Sequence, residues 1–256
     1  MDDHIKLHIE DGIATITIDR PASNNALNAP MFRDLVRTVE HCDADDAVKV
    51  LIITGAGKNF SAGGDIKEMA SFDFISYDLS ILTGQASLAL RKCSKPVIAM
   101  VNGAAAGAGC GIALGADFRI MTEESCLLTA FSSVGLTGDT GCIYHLKQIV
   151  GLAKTIELMA LSPRIYGKEA LQLGLATRLA PDGKLDEETN AFAAKLLRRP
   201  LSALAMQKQL YYEVFYHDYM AYSRLEAENL AKAGKSADHR EAVMAFLEGR
   251  KPQFNQ

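Results

Sequence analysis

Residues 53–69 read ITGAGKNFSAGGDIKEM, and they overlap the end of a nearly continuous apolar run at 48–54. Such a run predicts a strand that is covered on both faces. The glycines after it predict a loop in which the backbone closely approaches another group. A second apolar run, 96–101, ends in a similar loop at 102–109. Two buried strands that both lead into glycine-rich loops therefore define the centre of the fold.

The segments around these two loops alternate between strand and helix patterns. Residues 13–18 alternate in polarity and predict a half-buried strand, and a helical pattern starts at Pro30. Helical spacing around 85–92 and a short strand at 117–121 continue the alternation. We therefore expect an α/β fold in which strand, loop and helix repeat.

After about residue 140 the pattern is almost entirely helical. Helices are predicted over 141–149, 153–161, 168–173, 187–197, 202–233 and 239–248. Asp186 is expected to cap the helix at 187–197. The composition changes from glycine-rich to rich in Ala, Leu, Lys and Glu, and we place a domain boundary near residue 200. Residues 1–199 are predicted to form an α/β core, and residues 200–256 a helical C-terminal region.

The composition of the whole chain excludes several classes of protein. Its 256 residues are 48% hydrophobic and 23% charged, with a formal net charge of -4, which is typical of a globular domain. The acidic balance argues against a surface built for nucleic acid. The five cysteines form no CxxC pair, so neither disulfides nor zinc are indicated and a cytoplasmic protein is favoured. We expect no metal site, no signal peptide and no membrane span.

The two glycine loops admit three interpretations. A phosphate-binding P-loop is excluded, because Ile52 stands where its first glycine should and Asn59 follows Lys58. A dinucleotide site is disfavoured, because residues 107–111 depart from the G-x-G-x-x-G pattern. The third interpretation is one backbone N–H donor from each loop, both aimed at a carbonyl oxygen. Close packing of helix on strand is the structural alternative.

These stretches resemble a known family. Residues 53–69 closely resemble the first signature of the crotonase (enoyl-CoA hydratase/isomerase) superfamily, and residues 95–109 resemble its second. Residues 25–28 match its early NALN element, and residues 238–254 resemble its C-terminal end. The resemblance implies a spiral of ββα units followed by a helical region for trimer contacts. It also implies an acyl-CoA substrate and no separate cofactor, since coenzyme A is part of that substrate.

The resemblance also implies roles for individual residues. By position, the N–H groups of Gly64 and Ala108 would form an oxyanion hole for the thioester carbonyl. Ala62, Asp65 and Ile66, together with Gly64, would line the adenine side of the CoA site. The family's second donor is usually glycine, so Ala108 is a departure, although a backbone donor survives that exchange. Two such donors would stabilise the enolate oxygen that forms when a thioester loses an α-proton.

The acid–base residue departs from the hydratase pattern. Hydratases use two glutamates, which by position would stand at Gly111 and Phe131, and neither residue is acidic. Residues 131–141 instead resemble a branch that contains the phenylacetate-pathway 1,2-epoxyphenylacetyl-CoA isomerase and has an aspartate at the place of Asp139. One base that moves a proton between two carbons is enough for a double-bond shift. Desolvation would raise the pKa of Asp139, although it could instead cap the helix that starts near Gly141.

These inferences predict an enoyl-CoA isomerase with Asp139 as the proton shuttle. A hydratase in which Asp139 alone activates water, and an acyl-CoA-binding protein without catalysis, are the alternatives. We expect an acyl-CoA partner, with neither nucleic acid nor membrane, and a homotrimer or a dimer of trimers. Fatty acid metabolism or phenylacetate degradation in the cytoplasm is the expected setting.

Five further residues are weaker candidates. Tyr144 could project toward the acyl pocket, and Arg250 could meet a CoA phosphate. His145 and His239 lie in helical stretches and are expected to have packing or solvent roles. Asp117 is expected to be a structural carboxylate.

Overall fold

The computed structural model of the protein describes residues 4–70 and 75–254. The strands in these ranges are β1 (Ile5–Glu10), β2 (Ile13–Ile18), β3 (Val50–Gly55), β4 (Val97–Val101), β5 (Ala104–Ala106), β6 (Phe118–Met121), β7 (Cys126–Leu128), β8 (Ile165–Tyr166) and β9 (Arg178–Leu179). The helices are α1 (Ala29–Ala44), α2 (Ile66–Met69), α3 (Tyr77–Lys92), α4 (Ala108–Gly115), α5 (Cys142–Leu161), α6 (Gly167–Gln172), α7 (Leu185–Leu197), α8 (Leu201–Phe215), α9 (Tyr219–Ala233) and α10 (Ala237–Glu248).

The main sheet has its strands in the order β1-β2-β3-β4-β6-β9. β1 is antiparallel to β2, and the other neighbouring pairs are parallel. All residues of β3 are buried. Leu51 and Ile53 enter the larger apolar cluster, whereas Val50 and Ile52 enter a smaller one that includes Leu185 of α7. Because apolar groups cover both faces of β3, its sequence is continuously apolar.

A second, smaller sheet holds the loop that follows β4. Its order is β5-β7-β8, with β5 parallel to β7 and β7 antiparallel to β8. Only Asn102 and Gly103 separate β4 from β5, and Gly107 separates β5 from α4. The glycine-rich segment is therefore paired backbone followed directly by a helix N-terminus.

The α/β architecture with its helical C-terminal region is confirmed. The strands predicted at 13–18, 48–54, 96–101 and 117–121 correspond to β2, β3, β4 and β6 within two residues. β1 was not predicted, because it is an edge strand whose residues are mostly exposed and give a weak pattern. The strands β5, β7, β8 and β9 have two or three residues each, too few to show a period.

The helices predicted over 141–149 and 153–161 are found as two stretches of α5, separated at Gly151, where φ 76° and ψ 168° interrupt the helical backbone. The rest of the helical half needs two corrections. The stretch 202–233 is two helices, α8 and α9, because the chain turns at 216–218. The prediction that Asp186 caps α7 is wrong. Lys184 holds the capping position, and Asp186 lies in the first turn, where its charge still favours the positive end of the helix dipole.

The C-terminal helices pack against α3 and α2. α8 and α9 contact α3, while α10 contacts α2 and the short 3-10 turn Ser132–Val134. Apolar side chains on α8 stay exposed, among them Met206 at 66% and Leu210 at 58%. The boundary near residue 200 and the use of residues 200–256 in trimer contacts stay predictions. Across 4–70 and 75–254, no helix has both the length and the apolar character needed to cross a membrane.

Candidate active site

A cavity of about 330 Å³ lies where the two glycine loops meet. The walls contain all six predicted site residues, which are Ala62, Gly64, Asp65, Ile66, Ala108 and Asp139. They come from the first loop, from the start of α4 and from the segment before α5. The positions implied by the resemblance are thus brought together in space, while the role of each residue stays a prediction.

The two loops touch through their backbones. The Ser61 N–H donates to the Ala104 carbonyl oxygen at 3.1 Å, and the Ala106 N–H donates to the Ser61 carbonyl oxygen at 2.8 Å. Gly63 has φ 90°, and a Cβ atom there would lie 2.7 Å from the Ala106 carbonyl oxygen and 3.2 Å from the Ala108 nitrogen. Only glycine fits this conformation in this space. The sequence at Gly63 therefore permits the close approach of the two loops.

Two backbone N–H groups on the cavity wall have no partner. In the described part of the chain, neither the Gly64 N–H nor the Ala108 N–H donates a hydrogen bond. Ala108 is 1% exposed and is the first residue of α4, so its N–H points out of the positive end of a helix dipole. Buried N–H groups are normally paired. Two unpaired donors on one cavity are suited to an anionic or polarised oxygen of a ligand.

Asp139 is held by a segment with an unusual backbone. Gly138 and Gly141 have φ of 133° and 66°, and Thr140 has φ 51°, although β-branched residues rarely adopt this region. The Thr140 hydroxyl can donate to Asp139 Oδ1 at 3.1 Å. The Cys142 N–H donates to the Asp139 carbonyl oxygen at 2.9 Å. Backbone strain is therefore stored one residue away from the carboxyl that lines the cavity.

The environment of Asp139 favours its protonated form. The side chain is half-buried, and it lines both the large cavity and a small inner cavity of about 20 Å³. Burial raises the pKa of Asp139 to about 7, and the hydrogen bond from Thr140 opposes part of this rise. The alternative in which Asp139 caps α5 is wrong, because Gly141 holds the capping position and no side chain caps that helix. A carboxyl of this kind can exchange a proton near neutral pH.

Neither hydratase position has an acid, and one of them has no room for a side chain. A Cβ atom on Gly111 would lie 1.9 Å from the Thr140 hydroxyl oxygen and 2.7 Å from Thr140 Cβ. Phe131 is 4% exposed and forms part of the cavity wall. The absence of a side chain at position 111 thus makes room for the segment that carries Asp139.

The CoA-side residues predicted from the resemblance contribute in different ways. Asp65 is 5% exposed, and its Oδ2 pairs with Arg20 Nη1 at 2.5 Å. Its Oδ1 accepts the Lys67 N–H at 3.0 Å and caps α2. The carboxylate of Asp65 is therefore occupied within the protein. Ala62 is exposed at the rim, and Ile66 is half-buried in the wall.

Several wall residues were not predicted. Lys67 places a cation at the exposed rim, close to the predicted CoA side. Met69 and Leu136 line both cavities. Phe246 reaches the large cavity from α10, and no local pattern marks it because its position depends on the contact of α10 with α2. Lys67 and Met69 belong to the motif at residues 53–69, so their membership of that motif was the one sequence feature that could have indicated their place in the wall.

The weaker candidates lie away from the cavity walls. The Tyr144 hydroxyl donates to Asp218 at 2.5 Å, so the expectation that Tyr144 reaches the acyl pocket is wrong. Its place in an aromatic cluster with Tyr216 explains this. Arg250 pairs with Glu241 and Glu248, which directs its guanidinium group toward α10.

The histidines and Asp117 have structural contacts. His145 is fully buried, with Nε2 3.2 Å from the Ser87 hydroxyl oxygen. His239 Nδ1 lies 2.7 Å from the Val134 carbonyl oxygen. Asp117 accepts a bond from Lys208 Nζ at 2.6 Å. These packing and ion-pair roles agree with what was expected for these residues.

The titratable groups of the described residues include no constellation of three or more His, Cys, Asp or Glu that could hold a metal ion. They do include a second buried carboxyl near Asp139, that of Glu226 on α9. Its residue number is distant from the loops, and the helical pattern around it is that of an ordinary amphipathic helix. Glu226 was therefore not predicted from the sequence.

Known proteins resemble the chain in sequence and in structure. A family model described as enoyl-CoA hydratase/isomerase matches residues 8–256. A probable enoyl-CoA hydratase of Rhodobacter capsulatus is 34% identical over 252 residues, which cover 98% of this chain and 97% of that protein. The 1,2-epoxyphenylacetyl-CoA isomerase of Escherichia coli is 32% identical over 259 residues, which cover 99% of each chain. An enoyl-CoA hydratase structure from Mycobacterium avium subsp. paratuberculosis has a TM-score of 0.91, with 29% identity and 99% of each chain covered.

Proposed function

The chain belongs to the enoyl-CoA hydratase/isomerase family of the crotonase superfamily, and from this premise we propose that it shifts the double bond of an enoyl-CoA with Asp139 as the proton shuttle. Membership makes the protein an enzyme that acts on an acyl-CoA thioester. The type of reaction, which we take to be isomerisation and not hydration, is the part that we infer.

The proposed reaction begins with the thioester carbonyl oxygen between the N–H groups of Gly64 and Ala108. The Asp139 carboxylate takes a proton from C2 of a 3-enoyl-CoA, and the electrons of that C–H bond form an enolate whose charge lies on the oxygen. The two N–H donors stabilise this charge. The protonated Asp139 then returns the proton to C4, and the double bond moves from C3–C4 to C2–C3. One proton leaves and one returns, so a single carboxyl completes the cycle.

The observation that carries this proposal is the isolation of Asp139. Of the two acidic residues on the wall of the large cavity, Asp65 is neutralised by Arg20 and by the N-terminus of α2. Asp139 has no such partner and has a pKa raised to about 7. With Gly111 and Phe131 at the other two positions, Asp139 is the one available carboxyl among the described residues that line this cavity. One carboxyl suits a proton shuttle better than the concerted addition of water by two.

Asp139→Asn tests the proposal. It keeps the size of the side chain and removes the base, so isomerisation of a 3-enoyl-CoA should fall by about 10²–10⁴-fold while acyl-CoA binding, followed by calorimetry, persists. Asp46→Asn at an exposed position is the matched control and should behave as wild type. Undiminished turnover by the Asp139 variant would overturn the proposal.

Hydration is the second candidate, because one relative is named a probable enoyl-CoA hydratase. In that reaction Asp139 alone would activate the water. A 2-enoyl-CoA incubated in deuterated water distinguishes the two reactions. The isomerase is expected to incorporate deuterium without forming a 3-hydroxyacyl-CoA, whereas accumulation of the hydroxy product would favour the hydratase. Tight binding with neither exchange nor product would indicate an acyl-CoA-binding protein without catalysis.

The acyl group and the assembly belong to the same proposal. The large cavity has apolar walls that include Phe131, Val134 and Leu136, which suit an aliphatic or ring-containing acyl chain. We propose a homotrimer or dimer of trimers that uses the exposed apolar face of α8, and function in the cytoplasm. A panel of aliphatic and phenylacetyl-type CoA esters, together with sedimentation of the purified chain, tests these points.

A further inference from the structure

A second buried carboxyl lies behind the segment that carries Asp139. Glu226 belongs to α9 and is 7% exposed. The Gly141 N–H donates to Glu226 Oε2 at 3.0 Å, and the Tyr222 hydroxyl donates to Glu226 Oε1 at 2.5 Å. Both carboxyl oxygens are therefore hydrogen-bonded, and one of them holds the backbone two residues from Asp139.

The contact at Gly141 is part of tight packing between this segment and α9. Gly141 has φ 66°, and a Cβ atom there would lie 2.2 Å from the Tyr219 hydroxyl oxygen. The backbone at Gly141 thus touches α9 directly, and Glu226 accepts its N–H at the same place. This bond fixes the peptide that follows Thr140, the residue whose hydroxyl faces Asp139 Oδ1.

The charge of Asp139 also acts on Glu226, and because a Coulomb interaction is mutual, we infer the reverse effect of Glu226 on Asp139. Burial raises the pKa of Asp139 and of Glu226, to about 7 in each case, and the charge of Asp139 contributes to the rise at Glu226. The other titratable groups that interact with Glu226 are two phenols, Tyr219 and Tyr222, and the thiol of Cys142. These groups are neutral near pH 7 and bring no positive charge, although the hydrogen bonds from Tyr222 and from the Gly141 N–H oppose part of the rise in the pKa of Glu226.

The cations in this part of the molecule interact with groups other than Asp139 and Glu226. Burial lowers the pKa of His145, and Arg91 of α3 and Arg119 of β6 lower it further. Within residues 4–70 and 75–254, no cation contributes to the pKa of either carboxyl. Two neighbouring carboxyls without a counter-ion resist ionising together, so each raises the proton affinity of the other.

Resting on the proposed role of Asp139 as the base, we propose that Glu226 is a positioning residue for the proton transfer. Its bond to Gly141 fixes the segment that carries Asp139, and its charge adds to the proton affinity that burial gives Asp139. Among the described residues that line the two cavities at Asp139, Glu226 does not occur. It therefore acts through Asp139 and has no contact with the substrate.

Glu226→Gln separates this role from a merely structural one. The amide oxygen can still accept the Gly141 N–H, but the charge is gone, so Asp139 loses its like-charged neighbour and ionises more easily. The acid limb of the pH profile of kcat/KM should move to lower pH by about one unit, with KM nearly unchanged. Glu228→Gln removes the same charge from an exposed position on the same helix and should leave the limb in place. A limb that stays at the wild-type position in Glu226→Gln would overturn the inference.

A second measurement does not depend on how Glu226→Gln folds. In protein with ¹³C-labelled glutamate carboxyls, the Glu226 signal is expected to titrate with a midpoint at about pH 7. Asp139→Asn removes the neighbouring charge, so this midpoint should fall. An unchanged midpoint would contradict the coupling. If Asp139→Asn instead retains full turnover, the proposed function fails on its own, whatever happens to the Glu226 signal.

Discussion

The two sides of the cavity are built in different ways. The donor side consists of backbone N–H groups at Gly64 and Ala108, placed by short loops that pair with each other within residues 53–69 and 102–109. The acid–base side consists of the Asp139 carboxyl, whose backbone is held from α9 by Glu226, more than 80 residues along the chain. A donor site can therefore be encoded locally, whereas the proton affinity of a carboxyl depends on what distant elements pack behind it.

The largest effect expected on the donor side comes from the loss of one N–H group. Ala108→Pro removes the N–H at the first position of α4, where proline is well accepted. We expect kcat to fall by about 10²–10³-fold, or about 3–4 kcal/mol of transition-state stabilisation, with the fold retained by circular dichroism. Ala108→Gly keeps the N–H and should stay active. Equal activity of the proline and glycine variants would show that the Ala108 N–H does not stabilise the transition state, which contradicts the proposed oxyanion hole.

A smaller effect is expected where the two sides meet. Gly111→Ala places a methyl group against Thr140, and such overpacking typically costs about 1–3 kcal/mol of unfolding free energy, which denaturant titration measures. Thr140→Gly in the same chain should recover part of the loss, because it removes the contacting side chain and relieves the positive φ. Additive effects of the two changes would show that positions 111 and 140 are not coupled.

The acid–base side also predicts a pH dependence of stability. The pKa of Asp139 is raised from 3.8 to about 7, so between these values the folded protein holds a proton that the unfolded chain has released. This contribution is fully present below about pH 4 and is lost as the pH rises through 7. Relative to Asp139→Asn, the wild type should lose on the order of 4 kcal/mol of stability between pH 4 and pH 8. A constant difference between the two proteins over this range would contradict the raised pKa.

The smallest effect concerns the rim contributed by α10. Phe246→Ala removes an aromatic ring that is 57% exposed and lines the large cavity. We expect about 1 kcal/mol of lost binding, seen as a roughly five-fold rise in KM at constant kcat. Leu247→Ala, on the same helix and 46% exposed, is the control. A change in kcat in place of KM would indicate that α10 orients the reacting groups.

The donor side was predictable from the sequence, and the acid–base side only in part. The glycine patterns predicted one backbone donor from each loop, and the family resemblance placed these donors at Gly64 and Ala108. The positive φ of Gly63 and Gly107 explains how the two loops come close. Asp139 was selected through the family resemblance. Its isolation from cations, its bond network and Glu226 depend on packing of α9 against α3 and α5, which leaves no local mark in the sequence. The place of Phe246 in the cavity wall could not be predicted for the same reason.

The pH profile of kcat/KM for a 3-enoyl-CoA, in wild type and in Asp139→Asn, tests the central claim most directly. For the wild type we predict an acid limb with an apparent pKa near 7, set by the buried carboxyl. The Asp139 variant should show about 10²–10⁴-fold lower activity without this limb. A wild-type limb near the ordinary aspartate value of 3.8, or a variant that keeps both the activity and the limb, would contradict the assignment of Asp139 as the base.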